Sequence, residues 1–292
     1  MAAMPIAASN GIEICYDTFG DPADPTILLV MGLGSQMIHW PDDFCGALAA
    51  RGHRVVRFDN RDTGESTRFD GGASPSVRAA IGGGDVEVPY LLSDMADDAV
   101  GLLDHLAVDR AHVFGVSMGG MIAQTIAIRH PDRVASLTSV MSTTGDPDVG
   151  SPTAEAMAAL MAPPATTRDD YVDVVVHHSH VWGSPGLFDE DRLRDTAGRA
   201  WDRGYDPAGT ARQLVAILSS GSRSADLAQL AVPTLVIHGT ADTLVQPSGG
   251  ERTAEVIPDA KLLVVEGMGH DLAPPLWPRL IDAVTAHAAE HP

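Results

Sequence analysis

Three polar residues each stand just beyond an apolar, strand-like run. Ser117 closes AHVFGVS and is followed at once by the helix-forming MGGMIAQ, Asp242 follows TLVIHGT, and His270 follows KLLVVEG within Gly267-Met268-Gly269-His270-Asp271. These are the residue types that nucleophilic acyl chemistry needs. A serine hydroxyl attacks a carbonyl effectively only when a base takes its proton. An imidazole does that, and a carboxylate on its other nitrogen holds the required tautomer and stabilises the cation that forms. Asp146, beyond the run Val134 to Ser142, is the competing carboxylate, because a loop there also approaches the histidine.

The serine has a demanding context. Gly115-Val116-Ser117-Met118-Gly119 fits G-x-S-x-G between a strand and a helix. There the nucleophile sits on a strained turn, and side chains two positions away would clash. The oxyanion of a tetrahedral intermediate needs donors. Met118, first in the helix, offers its backbone N–H. Leu33, in Met31-Gly32-Leu33-Gly34-Ser35, is the expected second donor, with Gly32 and Gly34 as near alternatives. Gly32, Trp40 and Trp182 are expected beside the substrate. His177, His178 and His180 cluster in sequence, but no carboxylate or cysteine spacing accompanies them, so neither a metal nor a cofactor is expected.

The elements that must position these residues alternate. Met4 to Ala8 and Gly11 to Phe19 flank Asn10-Gly11, a hairpin signal. The runs Thr26–Gly32, Arg54–Asn60, Ala111–Ser117, Val134–Ser142, Thr234–Thr240 and Lys261–Gly267 alternate with helical stretches at 43–51, 92–106, 118–130, 249–257 and 276–287. This predicts an α/β fold with a mostly parallel sheet of about eight strands covered by helices on both faces. The alternation stops between about Gly145 and Leu230. Residues 1–144 and 231–292 are therefore expected to form the core and 145–230 a helical cap. Arg68 to Val88, with Gly71-Gly72 and Gly82-Gly83-Gly84, reads as a flexible segment.

The 292 residues, 45% hydrophobic, suffice for a sizeable core, and 39 acidic against 19 basic residues give a formal charge of −20. That balance argues against a nucleic-acid partner. No apolar run has membrane-spanning length, and the start lacks the pattern of a secretory signal. Cys15 and Cys45 suggest neither a metal site nor a disulfide framework, so a cytoplasmic location is expected. Oligomeric state has no signature here.

Together the loops MGLGS, FDNRDTGEST, GVSMGG, HGTADTLV and GMGHD, in this order, resemble the α/β-hydrolase superfamily over essentially the whole chain. FGDPADP, the Met-Gly loop followed by Trp40-Pro41, and Arg61 to Gly64 are similar to the actinobacterial aclacinomycin methylesterase group and to mycobacterial lipase/esterase-like proteins. Met31-Gly32 stands where many α/β-hydrolases have His-Gly, a mark shared with the methylesterase group. The resemblance implies a serine esterase acting on a small-molecule ester through an acyl-enzyme. Asp59, Arg61 and Asp62 read as structural braces, because carboxylates and a guanidinium after a strand can bind exposed loop amides and carbonyls. Thioester hydrolysis, acyl transfer or perhydrolysis would use the same triad, and a ligand-binding protein on a hydrolase scaffold is the reading from another class.

Overall fold

The computed structural model describes residues 4–69 and 75–292. Strands β1 (Ile6–Ser9), β2 (Ile12–Phe19), β3 (Thr26–Val30), β4 (Arg54–Phe58), β5 (Ala111–Val116), β6 (Val134–Val140), β7 (Thr234–Gly239) and β8 (Lys261–Val265) form one sheet in the order β1-β2-β4-β3-β5-β6-β7-β8. Each expected run is one of them. Asn10 and Gly11 both take left-handed φ, 47° and 79°, which turns β1 back on β2. β2 is antiparallel to β1 and β4, and the pairings from β4 to β8 are parallel.

Among the described residues the helices are α1 (Asp42–Ala49), α2 (Val77–Ile81), α3 (Leu92–His105), α4 (Met118–Arg129), α5 (Ala154–Leu160), α6 (Arg168–Trp182), α7 (Glu190–Gly204), α8 (Pro207–Ser220), α9 (Ser224–Leu227), α10 (Ser248–Val256) and α11 (Trp277–Ala289). Side chains of a strand alternate between faces, so a sheet covered on both sides needs a continuous apolar run. β3 meets that need. Leu28 and Val30 pack toward Met95, Leu102 and Ile122 of α3 and α4, while Ile27 and Leu29 pack toward Phe44, Leu48 and Leu280 of α1 and α11. None of the described helices is long and apolar enough to cross a membrane.

Trp40 belongs to this second face, which corrects the expectation that it lines the substrate pocket. The indole is fully buried, with its ring centroid 5.1 Å from that of Phe114 and 5.8 Å from that of Phe44. An aromatic side chain carries a large apolar area, and here it is buried in the cluster that includes Phe44 of α1 and Phe114 of β5. In the segment expected to be flexible, Val77–Ile81 is helical, with the Ser76 hydroxyl accepting the Ala79 N–H as an N-cap. Gly71-Gly72 lies outside the described residues.

Helices α5 to α9 all fall between β6 and β7. Two buried ion pairs tie them to the loop after β4. Arg203 of α7 reaches Asp59 at 2.8 Å, and Arg212 of α8 grips Asp62 through two 2.8 Å contacts. Both carboxylates have no exposed side-chain surface. Arg61 makes a similar fork on Asp98 of α3, at 2.6 and 2.7 Å. Asp59, Arg61 and Asp62 thus hold structure together.

Candidate active site

The order β4-β3-β5 means that the chain leaves β3 on one side for β4 and crosses to the other for β5. Loops at the carboxyl ends of β3 and β5 part there, and ligands of open α/β sheets bind at such a point. Ser117 occupies it, with Gly32 alongside. A Cβ on Gly32 would stand 3.2 Å from the Ser117 Cβ and 3.7 Å from its Oγ.

Ser117 takes φ 55° and ψ −123°, a conformation L-residues avoid. Its surroundings enforce it. The Ser117 N–H donates to the Val140 carbonyl at 2.9 Å, and the Ser117 carbonyl accepts the Ser142 hydroxyl at 2.8 Å. The flanking glycines supply the room. A Cβ on Gly115 would stand 2.0 Å from the Gly119 oxygen, and one on Gly119 would stand 2.0 Å from the Val30 oxygen. The second contact shows how close α4 comes to β3.

The three residues expected to act together meet. His270 Nε2 lies 2.8 Å from Ser117 Oγ, and His270 Nδ1 lies 2.7 Å from Asp242 Oδ2. Asp242 follows β7 and is held from behind: its Oδ1 accepts the Leu244 and Val245 N–H groups, each at 2.9 Å. His238 Nε2 stands 3.4 Å from Oδ2. Burial pushes the Asp242 carboxyl up, but the facing His270 and the contact with His238 outweigh it and hold it at about 2. The carboxylate therefore stays charged. Asp146, the rival, is engaged elsewhere: it accepts from Ser224 Oγ at 2.7 Å and Arg252 Nε at 2.9 Å, and from Ser222 as well.

Among the described residues no hydrogen bond engages the Met118 or Leu33 amide, whereas the Gly34 amide is taken by Gln213 Oε1 at 2.8 Å. Met118 opens α4, where amides lack helical partners and the helix dipole favours negative charge. Trp182 ends α6; its carbonyl accepts the His270 N–H at 2.6 Å, and its ring centroid lies 4.3 Å from that of His178. A cluster with metal-ligand proximity occurs instead at His287, Glu290 and His291, with ligating atoms within 4.8 Å of one another, but Lys261 already pairs with Glu290. Burial pushes both cysteine thiols up to about 12, which makes them poor nucleophiles.

Residues 25–273 match the family model described as the alpha/beta hydrolase fold. The chain belongs to the α/β-hydrolase family. It is 31% identical over 300 aligned positions to rhodomycin D methylesterase DauP of Streptomyces sp. strain C5, covering 94% of this chain and 95% of that one. Rhodomycin D methylesterase DnrP of Streptomyces peucetius is 30% identical, with 96% of each chain covered. Among solved structures, the enol-lactonase of Burkholderia xenovorans LB400 superposes with a TM-score of 0.76 at 24% identity, covering 98% of this chain and 100% of that one.

Several residues around the site of this α/β-hydrolase escaped the sequence reading. Gln213 of α8 is fully buried; besides accepting from Gly34, its amide donates to the Arg61 carbonyl and Thr63 Oγ1, each at 2.7 Å. It thereby joins the loop after β3 to the loop after β4. Asn60 donates to the Met31 carbonyl at 2.9 Å. Ser184 and Asp271 bond to each other beside His270. No local pattern marks such residues; the Ser-Pro-Gly that follows Gly183 was the one sign of a turn there.

Proposed function

We propose that this α/β-hydrolase cleaves carboxylic esters of small molecules with Ser117 as nucleophile. The observation that carries the proposal is the unbroken hydrogen-bond chain from Ser117 Oγ through His270 to Asp242, with links of 2.8 and 2.7 Å. Ser117 Oγ attacks the ester carbonyl while His270 Nε2 takes its proton. Asp242 keeps the remaining proton on Nδ1 and stabilises the imidazolium. The negative oxygen of the tetrahedral intermediate is received by the Leu33 and Met118 amides. Collapse expels the alcohol, which leaves with the proton from His270. Water, deprotonated by the same nitrogen, then attacks the acyl-serine, and His270 returns that proton to Ser117 Oγ as the acid departs. Every proton moved in the cycle passes through His270, so the reaction draws on no cofactor.

The relatives support a substrate class. Two methylesterases named for rhodomycin D align over almost the whole chain, which supports a methyl ester of a small molecule. Residues 145–230 form the cap in this reading, with the end of α6 beside the base. The test is Ser117→Ala assayed on p-nitrophenyl butyrate and on a panel of methyl esters. Hydrolysis should fall by about 10⁶-fold, as for loss of a nucleophile that acts as a unit with its base. A folded variant that retains activity near wild type would remove Ser117 from the mechanism.

A further inference from the structure

Three consecutive residues of the base loop are bonded to one short stretch at the end of α6. The Gly269 N–H donates to Ser184 Oγ at 2.9 Å, and the His270 N–H donates to the Trp182 carbonyl at 2.6 Å. Asp271 receives two bonds from Ser184, at Oδ1 from the hydroxyl at 2.5 Å and at Oδ2 from the backbone N–H at 3.1 Å. A hydroxyl has one proton and two lone pairs. Ser184, fully buried, spends its proton on Asp271 and a lone pair on Gly269. The backbones touch as well: a Cβ on Gly269 would stand 2.3 Å from the Gly183 carbonyl carbon. One residue earlier, the Val181 carbonyl accepts the Thr243 hydroxyl at 2.8 Å, and Thr243 adjoins Asp242.

From this geometry we infer that Ser184 and Asp271 are positioning residues that fix His270 against Ser117, so that the helical insertion sets the place of the base. The inference rests on the reading of His270 as the base. The base loop needs such a hold. It contains Gly267, at φ 73°, and Gly269, and residues without a Cβ resist displacement poorly. A bond to a carboxylate is stronger than a neutral one, which suits Asp271 to this task. Among the described residues, His270 itself is gripped only at its N–H and its ring. Ser184 and Asp271 fix the residues on either side, and thereby the direction in which the imidazole leaves the chain.

The experiment measures how fast a fluorophosphonate probe labels Ser117 in the intact protein, wild type against Ser184→Ala and Asp271→Asn, with urea midpoints recorded in parallel. Labelling depends on proton removal by His270 but not on ester recognition. We expect Ser184→Ala to slow labelling by about 10- to 100-fold, the effect of misplacing a reacting group by about 1 Å. The KM for p-nitrophenyl butyrate should stay within about twofold of wild type. Ser184→Thr, which keeps the hydroxyl, should recover labelling. Wild-type labelling rates in a folded Ser184→Ala protein overturn the inference, and if that variant does not fold, Asp271→Asn is read by the same criterion. A merely structural role would lower the urea midpoint and leave the labelling rate alone. Absence of labelling in the wild type, with Ser117→Ala as the blank, defeats the reading of the triad itself and the inference with it.

Discussion

Replacing Asp242 by asparagine changes one atom, and the hydrogen bonds dictate what that atom does. Asp242 Oδ1 accepts two backbone N–H groups, from Leu244 and Val245, each at 2.9 Å. Asparagine must put its carbonyl oxygen there. The opposite flip would turn an NH2 group toward two buried donors, at a cost of about 1–3 kcal/mol for each group left unsatisfied. The asparagine NH2 therefore lands where Oδ2 was, 2.7 Å from His270 Nδ1. Nδ1 must become the acceptor, and the ring proton moves to Nε2, which faces Ser117 Oγ at 2.8 Å. Nε2–H then donates to Ser117 Oγ, and the serine proton has no base to accept it. A wrong tautomer of this kind costs about 10⁴-fold in kcat, or roughly 5.5 kcal/mol of transition-state stabilisation. The assay is initial-rate hydrolysis of p-nitrophenyl butyrate by Asp242→Asn, with Asp146→Asn alongside. Asp146 is bonded to Ser224 and Arg252, so its variant should keep activity within about threefold, the range of a change remote from the reacting atoms. Asp242→Asn with more than about a tenth of wild-type kcat would refute the tautomer argument, and a large loss in Asp146→Asn would transfer the acid's role to that residue.

Gly119→Ala should misplace the nucleophile. Its Cβ would stand 2.0 Å from the Val30 oxygen and 2.7 Å from the Met31 oxygen, so α4 must shift, at about 1–3 kcal/mol and about 10²-fold in kcat; urea unfolding and ester kinetics check the two together. Gln213→Leu leaves the Gly34 N–H, the Arg61 carbonyl and the Thr63 hydroxyl without their partner. It should cost at least about 2 kcal/mol in urea unfolding and lower kcat with KM nearly unchanged, because the loop that carries the proposed Leu33 donor loses its tie to the loop after β4; an unaltered kcat contradicts this. Acid should expose the charge on Asp242. Its carboxyl is depressed from 3.8 to about 2, so its stabilising contribution is complete above the unfolded value and is lost as pH falls through the folded one. Measured by urea unfolding, the stability gap between wild type and Asp242→Asn should shrink by about 2 kcal/mol between about pH 5 and pH 2. A constant gap would show that the carboxylate gains nothing from its partners.

The site was legible where chemistry and local pattern coincide. Ser117 sits in a turn whose glycines are forced by contacts within the same few residues or with the neighbouring strand, so the sequence spacing already carries the steric demand. Asp242 and His270 were legible because each follows a continuous apolar strand, and parallel strands deliver their carboxyl ends to one edge. Trp40 was misassigned because an aromatic residue near a glycine-rich loop offers no sign of which face it turns to; α1 and Phe114 decided that. Gln213, Ser184 and the arginines of α7 and α8 were invisible for a different reason. Their partners lie 85 to 179 residues away, and nothing in a helix with ordinary composition announces a distant carboxylate or amide.

The ion pairs of α7 and α8 make the insertion a poor candidate for modular exchange. Arg203 and Arg212 answer carboxylates on Asp59 and Asp62, 144 and 150 positions back along the chain, that have no contact with solvent. A chimaera that took residues 145–230 from a relative would inherit cations spaced for a different β4 loop. Each orphaned carboxylate would cost about 3–5 kcal/mol, against a total stability of about 5–15 kcal/mol for a typical domain. Single changes elsewhere on these helices leave both ion pairs intact. Wholesale replacement of residues 145–230 requires the β4 loop to travel with it.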